Sequence, residues 1–331
     1  MQLEVLKSAQ PENLKILYNS YKKSRLAHAY IFEGEAGTKK FDTALFFAAM
    51  LLCTSQDEKP CGECNTCKRV ENLTHSNVYV VKPVRNTITK DAIKSLQVEF
   101  NKTALEDGAK IYIIDNAETM NAHASNALLK FLEEPHPNIY ALLLTTNSSK
   151  LLPTIRSRSQ KLHFHTLSEK IIYDELIEQG FEPDIASIAA SMHQTTIAAE
   201  RFLSQENIYD VLDITYNIYQ AIASKDSLVL MFDKEIYGVI KTTEDYQLLL
   251  DIMIYYQKDL IYGKMKHYQK QRFKAQKDTI ETLLSLKSKP QLLEELEYML
   301  DLKERLNNYI NARLAFDNLM ILLERRNESE E

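Results

Sequence analysis

The chain has 331 residues, of which 45% are hydrophobic and 26% charged, a composition typical of a globular protein and not of a disordered or collagen-like one. Its length favours two or three domains, at roughly 100–200 residues per domain. It contains only seven glycines, and because β-turns rely on glycine, a helix-rich chain is expected. Membrane proteins are disfavoured, since no apolar run reaches the roughly 18 residues of a membrane span. The first residues lack a basic-then-apolar signal pattern, so the cytosol is the expected compartment.

Charge is divided unevenly along the chain. Residues 1–167 carry a net charge of +4, whereas residues 168–331 carry a net charge of −10. An acidic C-terminal half predicts contacts with other protein subunits and not nonspecific DNA binding. The charge of the N-terminal half is compatible with a nucleotide or nucleic acid but does not by itself indicate one.

Apolar runs typical of buried strands alternate with helical patterns through the first half of the chain. This alternation predicts an α/β fold, with a parallel sheet that helices cover on both faces. Thr89 can cap the helix that follows the second strand. Strands are predicted at 29–32, 77–81, 110–115, 140–145 and 161–164, and helices at 41–52, from 90 to about 100, and at 121–133.

The strand signal ends near residue 167, and the remaining apolar spacing is helical. Gly180 is typical of a helix C-cap, and Pro290 can begin a long final helix that runs to about residue 326. Short helices are predicted at 168–179, 183–192 and 195–204, and longer ones from residue 207 onward, with breaks near 224, 238 and 290.

The first strand is followed by the segment GEAGTKKF, at the place where a phosphate-binding P-loop belongs. The working motif is G-x4-G-K-[ST]. Gly34 and Lys40 match it, but Lys39 stands at the second glycine position, where a side chain crowds the approach of a phosphate. Phe41 stands where a hydroxyl would hold Mg²⁺ and has no oxygen to offer. The alternative is that Gly34 and Gly37 mark an ordinary turn.

Asp115 ends the third predicted strand, where the Walker-B aspartate of a P-loop NTPase would lie. The next residue is Asn116, and a carboxamide cannot act as the general base that orients attacking water. These departures predict a P-loop fold with a degenerate nucleotide site. In such a site Lys40 is expected to pair with Asp115.

All four cysteines lie within fifteen residues, in the pattern C-x7-C-x2-C-x2-C. Four thiolates match the tetrahedral coordination of a closed, structural Zn²⁺ site. Two disulfides or four free thiols are the alternatives, and disulfides are rare in the cytosol. His75 could replace one ligand, although a surface position is expected for it. The predicted ligands are Cys53, Cys61, Cys64 and Cys67.

The ordered motifs resemble the delta-prime family of bacterial DNA polymerase III clamp-loader subunits. The resemblance covers essentially the whole chain and is strongest over 27–158. The run NALLKFLEEP at 126–135 matches the signature helix after Walker B, and the cysteine insertion after the P-loop helix is a further family mark. Ser-Arg-Ser at 157–159 lies where clamp loaders carry Ser-Arg-Cys, from which it departs in its third residue.

The resemblance implies an AAA+ module over 1–166 with a zinc-binding insertion at about 53–67, a helical lid over 167–206 and an all-α collar over 207–331. It implies a stator that does not hydrolyse ATP and that assembles with three tau/gamma ATPase subunits and one delta subunit to load the sliding clamp onto primed DNA. Arg158 would reach the ATP site of a neighbouring ATPase subunit, with Arg156 as a second candidate. The alternative for Arg158 is a surface ion pair. The lid arginine of active members has no match over 192–199, although Arg201 lies nearby.

Two other functions are compatible with parts of the sequence. Lys40 and Asp115 are retained in an active tau/gamma-type ATPase, which Lys39, Phe41 and Asn116 disfavour. The cysteine pattern also fits a zinc-dependent nucleic-acid-binding module, but the charges near it are mixed. ATP binding and salt-dependent DNA binding by the isolated chain separate these functions.

Overall fold

The computed structural model describes residues 3–56, 59–101, 108–133, 137–228, 238–306 and 311–328. The chain divides into two compact units, one through Ile171 and the other from Ile172 onward. In the part of the chain that the structure describes, no helix is both long enough and apolar enough to span a bilayer.

The first unit is built on a sheet of five parallel strands in the order β2-β3-β4-β1-β5. Strand β1 lies between β4, with Ala29 opposite Ala141, and the edge strand β5, with Tyr30 opposite Gln160. The three inner strands are almost entirely apolar because both of their faces are covered. The strands are β1 (Ala29–Glu33), β2 (Val78–Val81), β3 (Lys110–Ile114), β4 (Ile139–Thr145) and β5 (Gln160–His163).

Two hydrophobic clusters fill the two faces of the sheet. Tyr30 and Phe32 of β1 belong to one cluster, which contains much of α3, whereas Ala29 and Ile31 belong to the other, with α5 and α6. This alternation follows from the two-residue period of a strand. The helices of this unit are α1 (Leu3–Ala9), α2 (Pro11–Lys22), α3 (Lys40–Leu52), α4 (Asn65–Glu71), α5 (Lys90–Asn101), α6 (Ala122–Glu133) and α7 (Pro153–Ser157).

The predicted α/β fold, a parallel sheet covered by helices on both faces, is confirmed. Each predicted strand is present with ends that differ by a residue or so. Glu134 and Pro135, the last two residues of the predicted signature run, lie outside the described residues.

The described part of the second unit is helical. Helix α12 begins with a capping box in which Thr242 and Asp245 each accept a hydrogen bond from the other's backbone N–H. The helices are α8 (Glu169–Glu178), which begins in the first unit, α9 (Pro183–Met192), α10 (Thr196–Leu203), α11 (Ile208–Ser224), α12 (Thr243–Lys264), α13 (Lys277–Leu286), α14 (Lys289–Leu306) and α15 (Ala312–Glu328).

The single long final helix predicted from residue 290 to about 326 is wrong. It is divided into α14 and α15, because Asn311 lies outside the helix and caps α15: its side-chain oxygen accepts a hydrogen bond from the Leu314 N–H at 3.1 Å.

A buried polar network joins α12 and α14 in the core of the second unit. Gln257 Nε2 donates to Glu295 Oε2 at 2.9 Å, and Lys287 Nζ lies 2.6 Å from Glu295 Oε1. Tyr219 of α11 donates to Gln257 Oε1 at 3.2 Å. Removing one partner of such a pair leaves an uncompensated buried charge, which costs about 3–5 kcal/mol.

The ranges predicted as lid and collar both lie within the second unit from Ile172 onward. Hydrogen bonds join the two ranges: Tyr255 Oη donates to Ser191 O at 3.0 Å, and the Ala275 N–H donates to Asp184 Oδ2 at 2.8 Å. The division into a lid over 167–206 and a collar over 207–331 stays a prediction.

Candidate nucleotide-site remnant, arginine and metal centre

The loop after β1 has positive φ angles at Gly37 and at Lys39, the second of which stands where the P-loop motif has its second glycine. Gly37 has φ +87°, and Lys39, at the second glycine position, has φ +62°. A non-glycine residue in this left-handed region costs about 1–2 kcal/mol. Gly34 is required for another reason, since a Cβ there would lie 2.5 Å from Phe164 O.

The amino group of Lys40 is bound by the carbonyl oxygens of its own loop. Lys40 Nζ donates to Gly34 O at 2.5 Å and to Glu35 O at 2.6 Å. Burial lowers the pKa of Lys40, while the charges of Glu118 and Asp115 oppose this shift. The predicted Lys40–Asp115 ion pair is not among the contacts of the described residues, because the nearer carbonyl oxygens hold the ammonium group. The amine must leave these carbonyls before it can contact a phosphate.

Phe41 occupies the position of the magnesium-binding hydroxyl and contributes a ring instead. Lys82 Nζ lies 4.9 Å from the centre of this half-buried ring, within the range of a cation–π contact. The ring offers no oxygen ligand to a hard cation.

The end of β3 positions Asp115, Asn116 and Glu118. The Asp115 N–H donates to Val81 O at 2.8 Å, which continues the pairing of β2 and β3. Asn116 has φ +51° and begins a short 3₁₀ turn that carries Glu118. Glu118 Oε1 accepts hydrogen bonds from the Thr146 N–H at 3.1 Å and from Thr146 Oγ1 at 2.6 Å.

The pKa of Glu118 is lowered: burial raises it, but the hydrogen bonds of Thr146 and a further one from Thr145 lower it by more. Glu118 was not predicted from the sequence as a residue of this site. The signal available in the sequence was its position three residues after Asp115. Through its hydrogen bonds with Thr146, Glu118 connects the end of β3 to the end of β4.

Two buried amides of the N-terminal helices fix this loop against the segment after β5. Gln10 Nε2 donates to Thr38 O at 3.1 Å and to His165 O at 2.8 Å. Asn13 Nδ2 donates to Gln10 Oε1 at 3.1 Å and to His163 O at 2.8 Å. Neither residue was predicted from the sequence, because no local pattern relates these amides, at the start of α2, to backbone carbonyls about 150 residues later.

Arg158 is an exposed residue that directly follows α7. Its guanidinium donates to Thr154 O at 3.2 Å and lies 3.2 Å from Glu133 Oε1, at the end of α6. The side chains of both ion-pair partners are accessible to solvent, and a pair of this kind contributes about 0–1 kcal/mol. Arg156 is also exposed. The guanidinium of Arg158 can therefore leave Glu133 at little cost.

The four cysteines converge on one point. Cys53 ends α3, Cys64 caps the N-terminus of α4, and Cys67 lies in the first turn of that helix. Their sulfur atoms all lie within 4.8 Å of one another, and Cys53 Sγ is 3.6 Å from Cys61 Sγ and 3.9 Å from Cys64 Sγ. A regular tetrahedron of 2.3 Å zinc–sulfur bonds separates its sulfurs by about 3.8 Å. Disulfide bonds require about 2.05 Å, so all four are free thiols arranged as a metal site.

Backbone N–H groups support the charged form of the two half-buried thiols. The Cys64 N–H donates to Cys61 Sγ and the Cys67 N–H donates to Cys64 Sγ, both at 3.4 Å. Burial raises the pKa of Cys64, but these and other hydrogen bonds bring it down to about 6. Burial raises the pKa of Cys67. Four thiols this close cannot all ionise without a cation among them, and a bound divalent cation would remove this conflict.

The predictions for His75 and for Arg201 have different outcomes. The surface position expected for His75 is wrong: the side chain is buried, and its Nδ1 accepts a hydrogen bond from the Asn77 N–H at 3.1 Å. It is not among the four described residues that could hold a metal ion. Arg201 is exposed near the end of α10, and the role of a lid arginine stays untested.

Comparisons with known proteins cover both the first unit and the whole chain. A family model described as "DNA polymerase III, delta subunit" matches residues 9–168. The chain is 32% identical to DNA polymerase III subunit delta' of Bacillus subtilis over 95% of this chain and 96% of the relative. It is 40% identical to subunit delta' of Pseudomonas aeruginosa over 40% of this chain and 41% of that protein.

More distant similarity extends to other subunits. DNA polymerase III subunit tau of Bacillus subtilis is 30% identical over 76% of this chain and 48% of its own length. Among solved structures, a DNA polymerase III gamma subunit-related protein from Thermotoga maritima aligns with 94% of this chain and 99% of that chain, at 17% identity and a TM-score of 0.37. Because the 32% identity to a delta' subunit extends over nearly the whole of both proteins, the chain belongs to the delta' family of DNA polymerase III subunits.

Proposed function

We propose that this chain is the delta' stator of a DNA polymerase III clamp loader, where it assists ATP-dependent loading of the sliding clamp onto primed DNA. The observation that carries the proposal is the nearly full-length similarity to the Bacillus subtilis delta' subunit. Its partners in this role are tau/gamma ATPase subunits and a delta subunit, and it meets the clamp and primed DNA as part of that complex.

The chain's own nucleotide site is inactive in this proposal. Three features support that assignment: Lys39 at a glycine position, Phe41 in place of a hydroxyl, and the Lys40 ammonium held by loop carbonyls. The second candidate is an active tau-type ATPase, which the 30% identity to a tau subunit and the retained Lys40 and Asp115 favour.

Equilibrium titration of the isolated chain with Mg-ATP separates these two functions. We expect no saturable binding at micromolar nucleotide and no turnover, because the site lacks the magnesium-binding hydroxyl and its lysine is already bonded. A tau/gamma ATPase subunit serves as the positive control. Micromolar affinity together with steady ATP hydrolysis would establish the active ATPase instead.

Arg158 is assigned to act in trans, at the ATP site of a neighbouring ATPase subunit. A phosphate-directed arginine has no use beside a P-loop as altered as this chain's own. An arginine that reaches a transferred phosphoryl group stabilises the charge that develops there, an effect of about 10³–10⁵ in rate in GTPases. Its exposure and its weak pairing with Glu133 leave the guanidinium available for such a contact.

We expect Arg158→Ala to lower the clamp- and DNA-stimulated ATPase of the assembled complex in part, since only one of several ATP sites loses its arginine. Arg158→Lys restores little, because an ammonium lacks the planar fork of a guanidinium. Glu133→Ala is the matched control: it removes the described ion pair but leaves the arginine in place. Equal losses in Arg158→Ala and Glu133→Ala would show that Arg158 serves only the ion pair.

The metal is assigned as a structural Zn²⁺ bound by Cys53, Cys61, Cys64 and Cys67. The four sulfurs complete a tetrahedral shell and leave no position open for a reacting water. A zinc-dependent nucleic-acid-binding module is disfavoured, because α4 carries Lys68 and Arg69 beside the acidic Glu71. DNA affinity that disappears with the zinc would reverse this choice.

A further inference from the structure

A short basic segment interrupts the acidic half of the chain. From Leu260 to Lys277 there are six lysine or arginine residues and no acidic residue, although residues 168–331 together carry a net charge of −10. We define the basic strap as residues 264–277, which connect α12 to α13. The expectation that this half does not bind DNA rested on its average charge, and the strap departs from that average.

The strap is held in one conformation by a buried carboxylate. Asp259, fully buried in α12, accepts hydrogen bonds from the Arg272 N–H and, at 2.9 Å, from the Phe273 N–H. The Phe273 ring is also fully buried. Gln271 Nε2 adds a hydrogen bond to Asp259 O at 3.0 Å. These hydrogen bonds hold the backbone of the strap near residues 271–273 against α12.

The outward face of the strap combines positive charge with an exposed aromatic ring. Lys266, Lys270 and Lys274 are exposed, and Tyr268 between them is 58% accessible to solvent. Lys277 contributes less to the positive charge of this face, because its ammonium lies 3.7 Å from the Glu281 carboxylate, which offsets it.

A groove of about 450 Å³ lies directly beside this face. Apolar and basic residues line most of it, and one acidic residue, Glu281, lies beside Lys277. Its lining is Tyr268, Gln271, Phe273, Lys274, Lys277, Ile280, Glu281 and Leu284.

We propose that the basic strap binds single-stranded nucleic acid, with phosphates on Lys266, Lys270 and Lys274 and a base stacked on Tyr268. Proteins that bind single strands without sequence preference combine a positively charged groove with aromatic rings on which bases stack. An acidic protein partner would use the lysines but has no need of an exposed ring beside a groove. The proposal goes beyond the stator role, because it gives this chain its own contact with single-stranded nucleic acid.

The test measures binding of fluorescently labelled oligo(dT) to the isolated full-length chain by anisotropy at several salt concentrations. The triple variant Lys266→Gln/Lys270→Gln/Lys274→Gln should bind more weakly, with a salt slope shallower by about 2, because each phosphate contact to a single strand contributes about 0.7. The matched control is Lys225→Gln/Lys241→Gln/Lys289→Gln, which removes the same charge from exposed positions of the same unit. It should bind as the unmodified chain does.

Stacking is tested separately from charge. Tyr268→Ala should weaken oligo(dT) binding by about tenfold, whereas Tyr268→Phe, which keeps the ring, should retain it. A duplex of the same length should bind more weakly than oligo(dT) and should not respond to Tyr268→Ala. Unchanged thermal unfolding of each variant shows that the fold is intact.

Equal affinities of the strap and control triple variants would overturn the proposal. So would a strap variant that keeps its oligo(dT) affinity but no longer joins the tau/gamma and delta subunits, since the strap would then be a protein interface. The binding measurement uses the isolated chain. Its result therefore does not depend on whether the chain acts as a stator in the assembled complex.

Discussion

Glu33, the last residue of β1, is the residue whose charge we expect to matter most for the stability of the first unit. It accepts a hydrogen bond from the Ser148 N–H at 2.6 Å and pairs with Lys161 of β5. Burial raises its pKa, but Lys161 and Ser148 lower it from 4.5 to about 2. The folded-state pKa is therefore below the unfolded value. The resulting stabilisation is complete above about pH 4.5 and is lost as the pH falls towards 2.

We expect Glu33→Gln to lower the free energy of unfolding by about 2 kcal/mol at pH 7, a figure reduced from the full pKa shift because Lys161 is half exposed. The difference from the unmodified chain should shrink between pH 4.5 and 3. Urea unfolding at each pH measures it. Glu281→Gln, at an exposed ion pair of α13, is the control and should show little pH dependence. A difference that stays constant over this range would contradict the assignment to Glu33.

Residues such as Lys39 and Phe41 show what a sequence can predict about a site. Their identities alone indicate a damaged phosphate and magnesium site, because Lys39 adds a side chain where a phosphate would approach and Phe41 lacks the oxygen that would bind Mg²⁺. The position of the Lys40 amino group was not predictable in the same way. It depends on which oxygen atoms lie nearest after folding, and the loop carbonyls lie nearer than the predicted Asp115 partner.

At the scale of elements, the candidate metal centre joins α3, the following loop and α4. Cys64 has two roles there, since its sulfur is a predicted metal ligand and also accepts the Cys67 N–H at the start of α4. Cys53 and Cys67 belong to the hydrophobic cluster on one face of the sheet. The insertion is therefore continuous with the core of the first unit.

We expect the unmodified chain to contain one zinc per molecule and Cys64→Ser to contain almost none. Serine keeps an N-cap oxygen for α4 but supplies no thiolate, so the variant separates metal binding from helix capping. Amide hydrogen exchange over 59–71 should become faster in Cys64→Ser, while exchange in β3 and β4 stays slow. Metal analysis under reducing conditions and exchange mass spectrometry provide these measurements. Full zinc content in the variant would remove Cys64 from the ligand set.

The elements that were easiest to predict are those whose signal is local. The strands and α9 follow from apolar runs and a proline at the helix start, and the structure places them within a residue or so of their predicted ends. The break between α14 and α15 was missed because apolar spacing continues through it and Asn311 gives only a weak capping signal. The basic strap was missed because charge was averaged over half of the chain.

At the scale of the whole molecule, the first unit contains all that a stable fold needs. Both hydrophobic clusters are formed within it and are complete by Phe164. We therefore expect a fragment ending at Leu167 to unfold cooperatively and to bind one zinc. It should not enter a complex with tau/gamma and delta subunits, because it lacks the predicted collar over 207–331, which we propose makes the contacts that assemble the complex.

A longer fragment ending at residue 206 tests the proposed division into lid and collar. Ser191 and Asp184 lose their hydrogen-bond partners Tyr255 and Ala275 in this fragment. Its added helices should therefore exchange amide hydrogens rapidly, while the first unit stays protected. Slow exchange in these helices would show that the lid folds by itself. Entry of either fragment into the complex would show that the collar is dispensable for assembly.

The order of the strands has a consequence for the nascent chain. Ala29 of β1 pairs with Ala141 of β4, 112 positions later, and β1 gains its other neighbour only when β5 has been synthesised. The four cysteines, in contrast, are all present after residue 67. During synthesis, metal capture can therefore close the cysteine loop long before β1 is enclosed between β4 and β5. Insertion of β1 between two late strands is a contact of high sequence separation, and such contacts make folding slow. We therefore expect this insertion to limit the rate at which the first unit folds.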